Sequence, residues 1–163
     1  INLSLEQLRE AKFADRISNI LKETGTGADR IQVEITESVA FNEQAFILQQ
    51  LEDITKLGLS IAIDDFGTGF SSFTRIKSFP IDLLKIDIDF VRGISTGSQK
   101  DMAIIKSTIH IAENLGIKVL AEGVEKEDQY IYLRDNGCDF IQGFFFYKPM
   151  TAEEVITLLK SKT

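Results

Sequence analysis

The segment GLSIAIDDFG, residues 58–67, predicts the architecture of the whole chain. Gly58 would end a helix, residues 59–63 would form an apolar strand, two aspartates follow, and Gly67 opens a turn. The order of glycine, apolar strand, polar residue and glycine recurs at residues 116–123 and 137–143. Helices that alternate with short apolar strands are typical of a parallel α/β sheet. Because such sheets carry their functional groups at the carboxyl ends of the strands, we expect the site there.

The same patterns assign most of the remaining chain to strands and helices. Six strands are predicted, at Ile1–Leu3, Arg30–Thr36, Leu59–Asp64, Leu83–Ile88, Ile117–Glu122 and Phe140–Gly143. A capping box at Ser4–Gln7 opens a helix that ends near Thr24–Gly25, and Gly58 and Gly116 stop two further helices. A second capping box, at Thr151–Glu154, opens a C-terminal helix whose Val155, Leu158 and Leu159 are predicted to face inward.

One strand decides between an open sheet and a barrel. In residues 83–88, Lys85 and Asp87 share one face, while Leu84, Ile86 and Ile88 share the other. A strand of a doubly wound sheet is covered by apolar helices on both faces and could not easily hold a lysine. A barrel strand can, because its inner face opens into the mouth of the barrel. We therefore predict an α/β fold, a TIM-like (β/α) barrel, with residues 1–163 as part of one domain.

Bulk properties restrict the partners. The 163 residues carry a net charge of −7, which argues against binding to DNA or RNA duplexes and to anionic membranes. A phosphate ligand would need bound cations to reverse the local field. The single cysteine, Cys138, cannot form an internal disulfide, and no run approaches the ~18 apolar residues of a membrane span, so we expect a cytoplasmic domain. The chain begins at Ile1, within a strand-like stretch, and we expect a longer parent protein that could be membrane-anchored.

Carboxylates recur at the predicted strand ends. They are Glu34, the pair Asp64 and Asp65, and Glu122, with Lys85 as the one cation among them. Any single aspartate there is more simply a helix cap or turn former. Several acids together are costly to bury unless cations compensate, and oxygen ligands suit Mg²⁺ or Mn²⁺. The aromatic stretch Phe140–Tyr147 has two open interpretations, a piece of the core or a platform for a flat base beside Gln142.

Six motifs follow one another along the chain: Asn2-Leu3-Ser4, Glu34-Ile35-Thr36-Glu37, Asp64-Asp65-Phe66-Gly67-Thr68-Gly69-Phe70-Ser71-Ser72, Leu84-Lys85-Ile86-Asp87, Ala121-Glu122-Gly123-Val124-Glu125 and Gln142-Gly143-Phe144. Together they closely resemble the EAL-domain family, whose members hydrolyse cyclic di-GMP to linear pGpG with Mg²⁺ or Mn²⁺. The chain is thereby identified as the C-terminal portion of a single EAL domain.

The resemblance implies a role for each site residue. Two metal ions are implied, with Asn2, Glu34 and Asp64 as ligands of one and Asp65 as a ligand of the second. Lys85 and Glu122 resemble catalytic residues that orient and deprotonate the attacking water. The remaining implied residues are Gln142, Phe144 and Pro149 at the substrate, and Glu37, which anchors the loop Asp65–Ser72. The resemblance also implies a homodimer through the barrel and sensory or signalling domains upstream.

One departure from the family pattern leaves alternatives open. The Glu-Ala-Leu tripeptide that names the family does not occur here, and we expect it upstream of Ile1 together with the first strands of the barrel. The fragment could then be inactive on its own, or the domain could be a non-catalytic cyclic di-GMP receptor or a dimerisation module. Every acid that the resemblance places in the visible part of the site is present, which favours an enzyme.

Overall fold

The computed structural model describes residues 1–40, 45–67 and 76–161 and shows a parallel sheet with helices between its strands. The strands are β1 (Gln32–Thr36), β2 (Ser60–Phe66), β3 (Leu83–Ile86), β4 (Lys118–Ala121) and β5 (Phe140–Ile141). The helices are α1 (Leu5–Arg9), α2 (Phe13–Thr24), α3 (Glu37–Ala40), α4 (Ala45–Lys56), α5 (Ile88–Ser95), α6 (Gln99–Leu115), α7 (Glu127–Asp135) and α8 (Ala152–Ser161), with a 3-10 turn at Ala28–Arg30. Within these ranges no helix is both long enough and apolar enough to cross a membrane.

The strand order identifies the type of sheet. Each strand pairs in parallel with the strand that follows it in the sequence, giving the order β1-β2-β3-β4-β5. The predicted first strand is reduced to one parallel bridge between Asn2 and Glu34, at the free edge of β1. A doubly wound sheet reverses its strand order at a switch point, whereas each strand of a (β/α) barrel lies beside its successor. The sequential order confirms the predicted α/β barrel architecture.

The core holds the strands in place. One apolar face of each of two helices is buried: Ile47, Leu51 and Ile54 in α4, and Ile105, Ile109 and Ala112 in α6. Strand side chains that meet these helices or line the sheet are almost fully buried as well: Ile61, Ile63, Leu84 and Val119. Since apolar burial is the main stabilising contribution in such a domain, this core holds the strands and helices together. The strand ends then carry the polar residues.

The single helix predicted from Ser4 to Thr24 is wrong. The capping box forms as predicted, with Gln7 N donating to Ser4 Oγ at 3.3 Å and Ser4 N donating to Gln7 Oε1 at 2.9 Å. The first helix nevertheless ends at Arg9, and the second begins after Lys12, which adopts a left-handed φ of 63°. No glycine or proline marks this break in the sequence, so periodicity alone did not reveal it.

Two further predictions about helices and strands need correction. Strand β3 ends at Ile86 rather than Ile88, because Asp87 caps α5 by accepting a hydrogen bond from Asp89 N at 2.7 Å. The face of α8 predicted to point inward is not buried: the exposed fractions of Val155 and Leu159 are 38% and 62%. The third residue of that face, Leu158, is half-buried.

Candidate active site

Four charged side chains from four neighbouring strands meet at the carboxyl end of the sheet. Lys85, in β3, places its ammonium Nζ 3.1 Å from Glu34 Oε2, 3.0 Å from Asp64 Oδ1 and 2.8 Å from Glu122 Oε1. Glu34 lies in β1, Asp64 in β2, and Glu122 directly follows β4. The lysine side chain is 8% exposed, whereas the three carboxylates are 21–25% exposed. We name these four residues the Lys85 cluster, a shared cation beneath three partly accessible acids.

The pairing register explains why these side chains meet. Glu34 lies opposite the residue of β2 two positions before Asp64, and Lys85 lies opposite the residue of β4 two positions before Glu122. Residues directly opposite each other, and residues two apart along one strand, point to the same face of a sheet. All four side chains therefore emerge on one face, at the edge where the strands end.

The cluster has an excess of negative charge. Burial works against the charged form of Lys85, but hydrogen bonds to Glu122, Asp64 and Glu34 outweigh it and raise the pKa of the ammonium above its ordinary value. The lysine is therefore charged at any physiological pH. Three carboxylates and one ammonium leave a formal charge of −2 when all four are ionised.

Two further acids lie next to the cluster. Asp65 has a left-handed φ of 54°, and its amide donates to Asp64 Oδ1 at 3.1 Å. The pKa of Asp65 is raised, first by burial, then by the charge of Asp64, by a hydrogen bond and charge from Asp87, and by the charge of Glu122. We did not predict Asp87 as a site residue. Its alternation with Lys85 was the available signal, because both were expected on one face of the strand.

Two other predicted site residues lie next to β1: Asn2 pairs alongside the strand, and Glu37 directly follows its end. The backbone of residues 1–3 pairs with Glu34, since Glu34 N donates to Ile1 O at 2.8 Å and Leu3 N donates to Glu34 O at 2.8 Å. Asn2 is exposed at this edge. Glu37 is 5% exposed, and its Oε2 accepts a hydrogen bond from Gly67 N at 2.9 Å. This bond ties Glu37 to the start of the loop Asp65–Ser72, whose residues from 68 onward lie outside the described part of the chain.

The predicted substrate residues follow β5. Gln142 is exposed, and its backbone N donates to Ala121 O at 2.9 Å, so the residue lies beside the end of β4. The exposed fraction of Phe144 is 56%, and Pro149 is also exposed. The rings of Phe145 and Phe146 pack on Tyr130, with centroid distances of 5.5 Å each. Because Phe144, Phe145 and Phe146 all remain at least a third exposed, the stretch is not a piece of the core.

The donor set suits a hard divalent cation. The side chains at this edge offer carboxylate and amide oxygens, which Mg²⁺ and Mn²⁺ prefer over nitrogen or sulfur. Within the described residues, however, no group of three or more acidic, histidine or cysteine side chains is arranged to hold a metal ion. The three carboxylates instead share the ammonium of Lys85. A cation bound here would share these carboxylates with the ammonium or displace it from one of them.

Comparisons with known proteins agree on one family. The sequence model of the EAL domain matches residues 1–149. The cyclic di-GMP phosphodiesterase NbdA of Pseudomonas aeruginosa is 37% identical over 150 residues, which cover 92% of this chain and 19% of that protein. The chain thus spans about a fifth to a quarter of the length of the curated relatives that it matches.

Solved structures give the same result. The PaMucR phosphodiesterase in complex with c-di-GMP has a TM-score of 0.88 and 37% identity, covering 94% of this chain and 62% of that one. A manganese and cyclic di-GMP complex of Klebsiella pneumoniae BlrP1 has a TM-score of 0.83 and 31% identity, covering 91% of this chain and 38% of that one.

Proposed function

The chain belongs to the EAL domain family, and we propose that the Lys85 cluster is the catalytic centre of a phosphodiesterase that hydrolyses cyclic di-GMP to linear pGpG. The observation that carries the proposal is the convergence of three carboxylates on one buried lysine at the carboxyl end of the sheet. Relatives named as cyclic di-GMP phosphodiesterases support the choice of substrate. The reaction is the addition of water to a phosphodiester, with departure of a sugar hydroxyl.

We assign the metal ligands from the donor set at this edge. Asn2, Glu34 and Asp64 would hold one Mg²⁺ or Mn²⁺ ion, and Asp64 and Asp65 a second. Two such ions supply Lewis-acid stabilisation of the phosphate charge and make a bound water more acidic. The adjacent aspartates suit this arrangement because Asp65, at a left-handed φ, turns away from the strand direction that Asp64 follows.

The other residues of the cluster handle the proton and the phosphate charge. Glu122 is the general base, because its carboxylate is 23% exposed and can accept a proton from a water molecule at the mouth. Lys85 keeps its proton and donates hydrogen bonds, so it would orient that water or a phosphate oxygen while holding Glu122 at 2.8 Å. Gln142, Phe144 and Pro149 would bind the nucleotide, with Phe144 offering an exposed ring for a guanine base.

The test is an assay on the purified full-length protein that contains this chain. Cyclic di-GMP is incubated with Mg²⁺ or Mn²⁺ and the products are separated by liquid chromatography, with chelator and an Asp64→Asn variant as controls. We expect pGpG to form only with the ion and only in the unaltered chain. Binding of cyclic di-GMP without any pGpG would instead identify a receptor. Since structural relatives include cAMP-bound and cGMP-bound forms of the EAL enzyme Bd1971, both nucleotides belong in the assay as competing substrates.

We further propose that the domain acts as a homodimer within a longer signalling protein. The relatives are several times longer than the matched segment, which supports additional domains in such proteins. Analytical ultracentrifugation at several concentrations, with and without cyclic di-GMP, tests the dimer.

A further inference from the structure

A buried glutamine lies close behind the proposed general base. Gln129, in the first turn of α7, is 3% exposed. Its Oε1 accepts two hydrogen bonds from the backbone, from Glu125 N at 2.8 Å and from Lys126 N at 3.1 Å. Lys126 is the N-cap of α7 and Glu125 precedes it, so the buried Gln129 side chain, three residues into the helix, reaches back to the chain before the helix, as in a capping box.

The segment that Gln129 holds runs directly back to Glu122. Besides the bond from Tyr130 N to Lys126 O at 3.2 Å, which begins α7, the backbone of residues 122–126 is attached at three places. Glu122 N donates to Ile86 O at 3.2 Å, at the end of β3. Val124, which is fully buried, donates from N to Gln142 O at 3.1 Å and accepts at O from Phe145 N at 2.9 Å. The third attachment is the pair of bonds to Gln129, and it is made by a side chain, so a substitution can remove it without altering the backbone chemistry.

A glycine makes this third attachment matter for Glu122. Gly123 follows Glu122 with a φ of +67°, a conformation that side-chain-bearing residues rarely adopt. A Cβ at this position would collide with the side chain of Ile88, so the segment passes close over α5. Because glycine resists rotation least, the direction of Glu122 depends on how firmly the residues after Gly123 are held.

We propose that Gln129 is a positioning residue for Glu122. By fixing Glu125 and Lys126, it holds the segment 122–126 so that the Glu122 carboxylate stays within 2.8 Å of the Lys85 ammonium. Its part in catalysis rests on the proposed function, in which Glu122 accepts the proton of the attacking water. Its part in ordering the segment 122–126 does not depend on the proposed function.

The experiment compares two replacements of Gln129 with a control on the same helix. Gln129→Met keeps the length of the side chain and removes the acceptor, whereas Gln129→Glu keeps an acceptor oxygen. Tyr132→Phe removes the bond from Tyr132 Oη to Met102 O, 3.0 Å long, which faces α6 and not the segment 122–126. Amide hydrogen exchange is measured at Glu122 relative to Val119, in β4, and kcat and KM are measured for cyclic di-GMP with Mn²⁺.

We expect Gln129→Met to speed exchange at Glu122 at least tenfold relative to Val119, and to lower kcat at least tenfold with KM within twofold. Gln129→Glu should restore both values to within threefold of the unaltered chain, and Tyr132→Phe should change neither. Equal acceleration at Glu122 and Val119 would mean general destabilisation and would overturn the proposal, as would unaltered exchange at Glu122 or a failure of Gln129→Glu to restore it. If the unaltered chain does not hydrolyse cyclic di-GMP, the proposed function fails, and the exchange ratio alone decides on Gln129.

Discussion

Replacing Lys85 with methionine tests the Lys85 cluster most directly. Methionine keeps most of the length of the side chain and removes its charge. The Lys85 side chain is 8% exposed and touches three carboxylates within 3.1 Å, so among the described residues the variant would leave three acids facing one another with no compensating cation. The formal charge of the cluster would change from −2 to −3.

The size of the effect follows from burial and charge. Removing one partner of a buried ion pair costs about 3–5 kcal/mol of the free energy of unfolding. Binding of a divalent ion should change in the opposite direction, because a positive charge that repels the ion is gone. For an ion held ~5 Å from the former ammonium, that repulsion is worth about 1.7 kcal/mol even at the dielectric constant of water, more than a tenfold change in affinity.

Urea unfolding and calorimetry at neutral pH measure the two effects. Lys118→Met is the matched control, since Lys118 lies in the neighbouring β4 and its side chain is 62% exposed in a 2.6 Å ion pair with Asp139. Surface pairs contribute roughly 0–1 kcal/mol, so the control should unfold almost like the unaltered chain. We expect Lys85→Met to be destabilised in chelator, to bind Mn²⁺ more tightly, to regain stability with Mn²⁺, and to lose turnover.

Two results would refute this reasoning. If Lys85→Met and Lys118→Met lose the same stability, the burial of the Lys85 ammonium has no energetic consequence. If Mn²⁺ affinity is unaltered in Lys85→Met, the three carboxylates do not form the cation site. Tighter Mn²⁺ binding with full turnover would keep the site but reduce Lys85 to a neutralising charge, without a part in orienting water or phosphate.

Three further changes test other parts of the structure. Asp64→Asn should lower turnover at least a hundredfold and weaken Mn²⁺ binding in calorimetry, because the amide carries no charge; near-normal turnover would contradict its assignment as a ligand of both ions. Burial opposes ionisation of Asp139, but hydrogen bonds from Lys118 and Val119 N lower its pKa below the ordinary value. A carboxyl group with a lowered pKa stabilises the fold above its unfolded pKa, and this contribution disappears as the pH falls through its folded pKa. Asp139→Ala should therefore lower the free energy of unfolding by about 1–2 kcal/mol at pH 5–8, and by progressively less below pH 4, in urea titrations. A difference from the unaltered chain that stays constant down to pH 2 would argue against this origin. Gly143→Ala should lower the melting temperature, because its Cβ would collide with the backbone of Val124, and an unaltered melting curve would show that this contact is loose.

The carboxyl ends of the strands could be predicted from the sequence because two local signals agree there. An apolar run bounded by glycines marks each strand, and the period of two along a strand assigns each side chain to a face. Those signals placed Glu34, Asp64, Lys85 and Glu122 on one edge, where the structure brings them together. The signals carry no information on distance. That Lys85 would touch all three acids depends on the register between strands far apart in sequence.

Where local signals compete, the sequence is ambiguous. Residues 86–88 continue the alternation of β3, and alternation favoured a longer strand. Asp87 is also a good helix cap, and capping prevailed because the amide of Asp89 needs an acceptor at the start of α5. The apolar stripe of α8 shows a second limit of prediction from sequence. Periodicity identifies one face of that helix as apolar, but it does not say which part of a protein covers it.

The charge of the Lys85 cluster links the site to its cations. Three carboxylates and one ammonium already leave a formal charge of −2, and a phosphodiester would bring a further negative charge to the same edge of the sheet. Lys85 cannot neutralise this charge, because its ammonium is already shared among three acids. Asp65 and Asp87 add to the negative charge: the pKa of Asp65 is raised first by burial and further by the charges of Asp64, Asp87 and Glu122. An anionic substrate at this edge therefore needs positive charge beyond that of the described side chains, and divalent ions with oxygen ligands are the form of that charge for which these residues are suited.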